Sequence, residues 1–301
     1  MRILVSGLVN TETTAKVRGF PIPYYPIDYP FFGVNTHVSG VGFNLSKALT
    51  TLGDQVRLCS MTGTDFAAEA IRNALSHIHV GDNYVLPKLA QTPNSVVLYD
   101  PEGKRQIYCD LKDIQESAYP FSSDVLDAID LVVACNINFN RPLLQLAKAA
   151  GKLIATDVHV LSDPEDDYNQ EFMKAADILF LSDEAIGEDY ADFLRRLADR
   201  YGCKIIVIGR GSKGAAMYLR ETGQIQEMSA VCVGPVENTV GAGDALFASF
   251  LHFYAKGFAP EQALRRAQIF AAHKITVSGA SNGFISEQTV EEHIRQKGYE
   301  Q

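Results

Sequence analysis

The strongest constraint on the fold is a rhythm. Short β-branched runs alternate with stretches of helical spacing along nearly all of a 301-residue chain. The runs "RILVSGLV", "QVRLCSMTG", "DLVVAC", "KLIATD", "DILFLS" and "KIIVIG" read as strands. Between them, "GFNLSKALTTLG" puts Leu45, Ala48, Leu49 and Leu52 on one helical face and stops at Gly53. "FAAEAIRNALSHI", "RPLLQLAKAAG" and "YADFLRRLADRYG" also read as helices. This alternation implies a mostly parallel sheet with helices on both faces, an α/β fold whose ligands sit beyond the carboxyl ends of the strands. No composition shift or internal repeat divides the chain, so residues 1–301 are expected to form a single domain.

Two segments break the rhythm. Residues 11–38 carry "FPIPYYPIDYPFFG", whose four prolines and six aromatics forbid a helix and suit irregular extended chain. Residues 94–110, "NSVVLYDPEGKRQIYCD", read as a hairpin turning at "DPEGK". Together they are expected to form a small β-lid projecting from the domain. Its exposed apolar residues call for a ligand or a second subunit to cover them; a homodimer through the lid is the expectation, with stacking against a substrate as the alternative.

Charge and cysteine usage narrow the partners. A formal charge of −9 argues against nucleic acid, which needs a basic surface. It leaves room for a nucleotide, which a few local backbone donors can hold. No run approaches the ~18–20 apolar residues of a membrane span. The opening "MRILVSGLVN" is a first strand rather than a signal peptide, because Asn10 and Glu12 break its apolar core. Cys59, Cys109, Cys135, Cys203 and Cys232 lack CxxC or Cys/His spacing, and those in "RLCSM", "LVVAC" and "AVCVG" are expected to be buried. A reducing, cytoplasmic location is expected.

The chemistry concentrates in "NTVGAGDALFASFLHFYAKG", which starts at Asn238. The preceding "SAVCVGPV" reads as a strand. Leu246, Phe247, Phe250, Leu251 and Tyr254 then recur at helical spacing. Gly241, Ala242 and Gly243 thus fall in a turn at a helix amino terminus, where unpaired N–H groups and about half a positive charge attract anions. Asp244, next in sequence, could accept a proton from an attacking hydroxyl while those N–H groups hold a transferring phosphoryl group. A purely structural Asp244, matching the helix dipole, competes with this; Asn238 and Thr239 already offer capping side chains.

"NTVGAGDALFASF" resembles the second signature of the PfkB (ribokinase-like) carbohydrate kinases, D-T-x-G-A-G-D. "SGVGFNLSKALTTLG" followed by "SMTGTDFAAEAI" resembles the first, G-G-x-x-x-N followed by glycines. The resemblance runs along essentially the whole chain. It implies a ribokinase-like three-layer sandwich and ATP-dependent phosphorylation of a hydroxymethyl group, with Asp244 as base and the Gly241, Ala242 and Gly243 amides as anion hole. It also implies Mg2+ with the ATP phosphates. In many members a monovalent cation such as K+ lies near the anion hole, bound partly by the residue matching Asn238 and by carbonyls near Gly279. On the acceptor side Gly40 and Asn44 match the family. Ser39 replaces the first glycine, and Asn10 stands where an Asp is usual. The family's N-x-x-E element is altered in "DILFLSDEAIGED", where Glu184 is the candidate for the retained carboxylate that orients magnesium.

"KIIVIGRGSKGAAMYL" contains Gly209, Gly211 and Gly214 in G-x-G-x-x-G spacing after a strand. A dinucleotide fingerprint must open a helix, yet "AAMYLRETGQIQEMSAV" reads as two strands around "ETG". In the family the same place carries T-x-G-x-x-G lining the nucleotide, with Gly209 here replacing Thr. The resemblance also sets Ala272 and His273 against the adenine. His77, His79 and His159 show no metal-ligand spacing, and Asp157, at a strand end, is given no role.

The expected activity is transfer of the ATP γ-phosphoryl group to a primary hydroxyl of a sugar or sugar-like molecule. A nucleoside kinase on the same scaffold is the nearest alternative, with Tyr24, Tyr25, Phe31 and Phe32 available to sandwich a base. A catalytically silent relative that binds a sugar or nucleotide is the other.

Overall fold

The computed structural model describes residues 1–102, 104–187 and 189–299; Gly103 of the expected hairpin turn lies outside them. The main strands are β1 (Arg2–Ser6), β4 (Gln55–Thr62), β5 (Val85–Pro87), β8 (Leu131–Ala134), β9 (Leu153–Val160), β10 (Ile178–Ser182), β11 (Ile205–Gly209), β12 (Ala215–Leu219) and β13 (Gln224–Met228). They form one sheet in the order β13-β12-β11-β10-β9-β8-β1-β4-β5, parallel except for β12 and β13. The other four strands, β2 (Asn10–Lys16), β3 (Val34–Ser39), β6 (Asn94–Tyr99) and β7 (Arg105–Asp110), form a second sheet in the order β3-β2-β6-β7.

The helices are α1 (Val41–Thr51), α2 (Phe66–His77), α3 (Arg141–Ala149), α4 (Gln170–Ala175), α5 (Tyr190–Arg200), α6 (Ala242–Ala255), α7 (Pro260–Lys274) and α8 (Glu287–Lys297). Two buried clusters lie on opposite faces of the large sheet. Ile3, Val5, Val133, Phe180 and Val207 pack with residues of α1, α6 and α7. Leu4, Val132, Leu179 and Ile206 pack with residues of α3, α4 and α5. Successive residues of one strand feed opposite cores, which is why these strands read as unbroken apolar runs. Phe180 of β10 meets Phe247 and Phe250 of α6 at ring-centroid distances of 4.9 and 5.2 Å. Such pairs add about 0.5–1.5 kcal/mol each beyond their burial and fix α6 against the sheet.

Strand order reverses at β1, with β4 on one side and β8 on the other. A crevice at the carboxyl ends of the strands is expected at such a reversal. The chain leaves β1 at Ser6 and enters the second sheet at Asn10. "RILVSGLV" is therefore not one strand: a Cβ at Gly7 would lie 2.5 Å from Cys135 Sγ, so the chain turns out of the sheet where only glycine fits.

Three other expectations need correction. Residues 11–38 are irregular only between β2 and β3, whose ends pair through the Asn10–Ser39 register. "SAVCVGPV" forms no strand; the sheet ends at β13, and irregular chain carries the path to α6. Alternating apolar residues mark a strand only where a neighbouring edge accepts its hydrogen bonds. Cys232, on that segment, is exposed, as is Cys109, whereas Cys59, Cys135 and Cys203 are buried.

Candidate active site

The glycine turn opens α6. Gly241 takes φ +80°, and a Cβ there would stand 2.1 Å from the Ala280 carbonyl oxygen, so the turn lies backbone to backbone against Ala280. No side chain larger than hydrogen permits that approach. The Ala242 N–H is spent on the Thr239 carbonyl at 3.1 Å, so it is not the anion donor expected of it. Among the described residues no backbone acceptor takes the Gly241 or Gly243 N–H, which stay available to an anion.

Asp244 sits in the first turn of α6 and is buried. The Asn44 amide, from the second turn of α1, donates to its Oδ2 at 2.8 Å. Burial lifts the Asp244 carboxyl to about 6; the Asp157 carboxylate pushes the same way, while His159, Asn44 and Lys274 oppose it. Asp244 is thus ionised but basic at neutral pH, the condition a general base requires. Asp157, near the end of β9, holds the His159 N–H at 2.8 Å. Neither Asp157 nor His159 was assigned a role from sequence.

The acceptor-side residues meet at the junction of the two sheets. Asn10 begins β2, opposite Ser39 at the end of β3. Gly40 follows at φ +95°, where a Cβ would strike the Leu8 carbonyl at 2.6 Å, and it caps α1. The Asn10 amide donates to Ser95 Oγ at 3.2 Å. The carbonyl oxygens Asn10 Oδ1 and Asn44 Oδ1 are both buried without a hydrogen-bond partner. Leaving two such acceptors unsatisfied costs on the order of 1–3 kcal/mol each, which a ligand donating to them would recover.

Glu12 shares the Asn10 face of β2, two residues on, and is also buried. Burial raises its pKa, against the Ser39 hydroxyl, which lies 3.4 Å away, and the charges of His37 and Lys274. Sequence reading used Glu12 only to end an apolar run; its i, i+2 relation to Asn10 on a strand was the available signal. Arg105, first residue of β7, reaches Thr239 Oγ1 at 3.4 Å and Glu184 at 3.9 Å, and was likewise missed. It connects the small sheet to the glycine turn. Glu184 lies in a short 3-10 turn after β10, with its side chain 65% exposed.

The nucleotide-side candidates are dispersed. Gly209 ends β11, and a Cβ there would make only ordinary contact with Leu246. Gly211 and Gly214 take φ +52° and +97° around a 3-10 turn that leads into β12 and not into a helix, which disposes of the dinucleotide reading. A Cβ at Gly214 would lie 2.0 Å from the Met228 carbonyl, so this glycine is required by the hairpin itself. His273 packs edge-on against His293 of α8, with centroids 5.7 Å apart, while Ala272 is buried.

Among the described residues no three His, Cys, Asp or Glu side chains gather as a metal cage. Mg2+ commonly rests on substrate phosphates and water with one or two carboxylates, and Glu184 fits that lesser part. A free monovalent cation at Asn238 does not fit. Asn238 Oδ1 accepts the Val240 N–H at 2.7 Å, and its carbonyl accepts Lys274 Nζ at 3.4 Å.

The sequence profile of the pfkB family carbohydrate kinases matches residues 2–287. The chain belongs to the PfkB carbohydrate kinase family. Membership makes it a phosphotransferase with an alcohol group as acceptor, and the family implies ATP and usually Mg2+. It is 25% identical over 287 residues to an acarbose 7(IV)-phosphotransferase of Actinoplanes sp., covering 94% of this chain and 95% of that protein. It is 26% identical over 242 residues to a cytidine kinase of Thermococcus kodakarensis, covering 76% and 84%. A microbiome-derived acarbose kinase superposes with a TM-score of 0.86 at 24% identity, covering 97% of both chains. Arabidopsis thaliana ribokinase, solved with ribose and ATP, gives 0.82 at 20%, covering 96% of this chain and 97% of that one. These superpositions establish the ribokinase fold. No helix among the described residues is long and apolar enough to cross a membrane.

Proposed function

We propose that this PfkB-family kinase transfers the γ-phosphoryl group of ATP to a primary hydroxyl of a sugar or sugar-like molecule, with Asp244 as general base. The observation that carries the reading is the buried Asp244 carboxylate, oriented by Asn44, with the orphaned oxygens of Asn44 and Asn10 at the same junction. Two buried acceptors suit a molecule rich in hydroxyl donors. In the reaction the acceptor hydroxyl gives its proton to Asp244 as its oxygen bonds to the γ-phosphorus. The bond from that phosphorus to the β,γ-bridging oxygen breaks, and ADP leaves. The Gly241 and Gly243 amides and Arg105 face the charge that develops on the transferring group. Mg2+, when bound with the nucleotide, neutralises phosphate charge.

A nucleoside acceptor is less well supported. Tyr24, Tyr25, Phe31 and Phe32 are 88%, 48%, 85% and 100% exposed, so they enclose no base-binding slot. That exposed strip better suits a second copy of this chain, as a homodimer through the small sheet. Turnover measured by ADP release on ribose, fructose, an oligosaccharide, adenosine and cytidine tests the reading. Sugars are expected to lead; a nucleoside outrunning every sugar, or no ADP release with any acceptor, refutes it.

A further inference from the structure

Lys274 is the last residue of α7 and is fully buried. An ammonium carries three donors, yet among the described residues its only hydrogen bond is the 3.4 Å one to the Asn238 carbonyl. No carboxylate lies within the 4.0 Å of an ion pair among the described residues. A buried charge without a contact partner is expensive, so it calls for a reason. Its electrostatic neighbours supply one: Asp244 and Glu12 attract it from the site, and Arg105 repels it.

The backbone around it is unusual. The Glu237 and Asn238 N–H groups both donate to the Ile275 carbonyl, at 2.8 and 3.2 Å. Gly241 is pressed onto the Ala280 carbonyl, so the anion-binding turn and the turn after α7 meet backbone to backbone. The Asn238 carbonyl, beside the turn, takes no backbone N–H among the described residues and is the oxygen that meets a positive charge. Asn238, a neutral residue, spends its own side-chain oxygen on the Val240 N–H. Lys274 Nζ takes the Asn238 carbonyl.

We propose that the Lys274 ammonium is a tethered cation, standing behind the anion-binding turn where a free monovalent ion would otherwise sit, so that turnover requires no K+. It is a positioning residue. It contacts the Asn238 carbonyl, holds the turn against residues 276–283, and adds positive potential where the phosphoryl group is received. This inference rests on the kinase reading, and its test keeps the two apart.

The wild-type protein, Lys274→Ala and Lys274→Met are exchanged into choline chloride free of K+, Na+ and NH4+. Turnover and thermal midpoint are then read in choline, NaCl and KCl. Wild-type turnover should be the same in all three salts, and KCl should not raise its midpoint above that in choline. Lys274→Ala should lose on the order of tenfold in turnover in choline, the scale of one partly screened charge at a few ångströms. KCl should restore it and raise its midpoint. Lys274→Met fills the stem without charge, so it should stay slow in every salt. Wild-type activation by KCl, a wild-type midpoint raised specifically by K+, or full turnover of either variant in choline overturns the inference. Should neither variant fold, the wild-type salt comparison decides alone. A protein that releases no ADP in any salt refutes the kinase reading, while the midpoints still report on Lys274.

Discussion

Replacing Asp244 by Asn separates the catalytic and the structural meaning of that residue. Asn is nearly isosteric with the protonated acid and its side-chain oxygen can still accept from Asn44, so the fold should persist. The carboxyl is lifted from 3.8 to about 6, chiefly by burial. At 1.36 kcal/mol per unit, holding the charge at neutral pH destabilises the fold by about 3 kcal/mol, a net figure that already includes the attraction of Lys274 and His159. The sign follows from proton uptake: between 3.8 and about 6 the folded state binds the extra proton, so stability falls as pH rises through that window and is level above it. Asp244→Asn should therefore be more stable than the wild type at pH 7, by up to about 3 kcal/mol, with the difference vanishing towards pH 4. Turnover should fall by at least ~100-fold, and wild-type turnover should itself decline as pH drops below about 6. Urea unfolding at several pH values, beside ADP release, reads both effects. A stability difference independent of pH refutes the assignment of the burial cost to Asp244. Turnover within tenfold of wild type refutes its role as base.

Two further substitutions probe residues that only the structure exposed. Arg105→Gln removes the charge that links β7 to Thr239 and Glu184. Its turnover should fall about 100-fold with the thermal midpoint unchanged, since the side chain is 36% exposed; a rate close to wild type would exclude Arg105 from the phosphoryl site. Glu12→Gln keeps the shape of a buried acceptor but removes its charge, so the KM for a sugar should rise about tenfold with kcat nearly retained, as expected for a hydrogen bond to a charged group. An unchanged KM across the acceptor panel would place Glu12 outside the acceptor pocket.

What the sequence made legible was whatever depends on local pattern. β8, β9, β10 and β11 are recoverable because strands buried on both faces are unbroken apolar runs, and the Gly241–Asp244 turn because its steric demand admits few residues. Asn44 was visible as a motif position, yet its bond to Asp244 joins residues 200 apart in sequence, which no local pattern encodes. "SAVCVGPV" failed for a related reason, since strand formation depends on a free sheet edge and not on alternation alone. Arg105 and Glu12 belong to the small sheet, and they reach the site only because β2 and β7 are brought to the carboxyl edge of the large one. Lys274 interrupts the largely apolar "IFAAHKITV", a sequence clue that something charged had been placed in the interior.

Asp244 and Lys274 also explain each other. Burial disfavours both charges, raising the acid to about 6 and lowering the ammonium to about 8. Asp244 therefore destabilises the fold increasingly as pH rises from 3.8, and fully above about 6. Lys274 does so below about 8, and the strain eases as pH climbs from there towards its ordinary 10.5. The combined contribution of the pair to stability is lowest between those two values, the only range in which the carboxylate can take a proton while the ammonium still stands beside the glycine turn. A site selected for stability alone would hold a neutral pair, and apolar groups of similar volume commonly stabilise such positions. Retention of two opposed charges that do not touch, on either side of a turn with free N–H groups, is explained by a third, transient charge between them. Under the proposed mechanism, a phosphoryl group in flight is that charge.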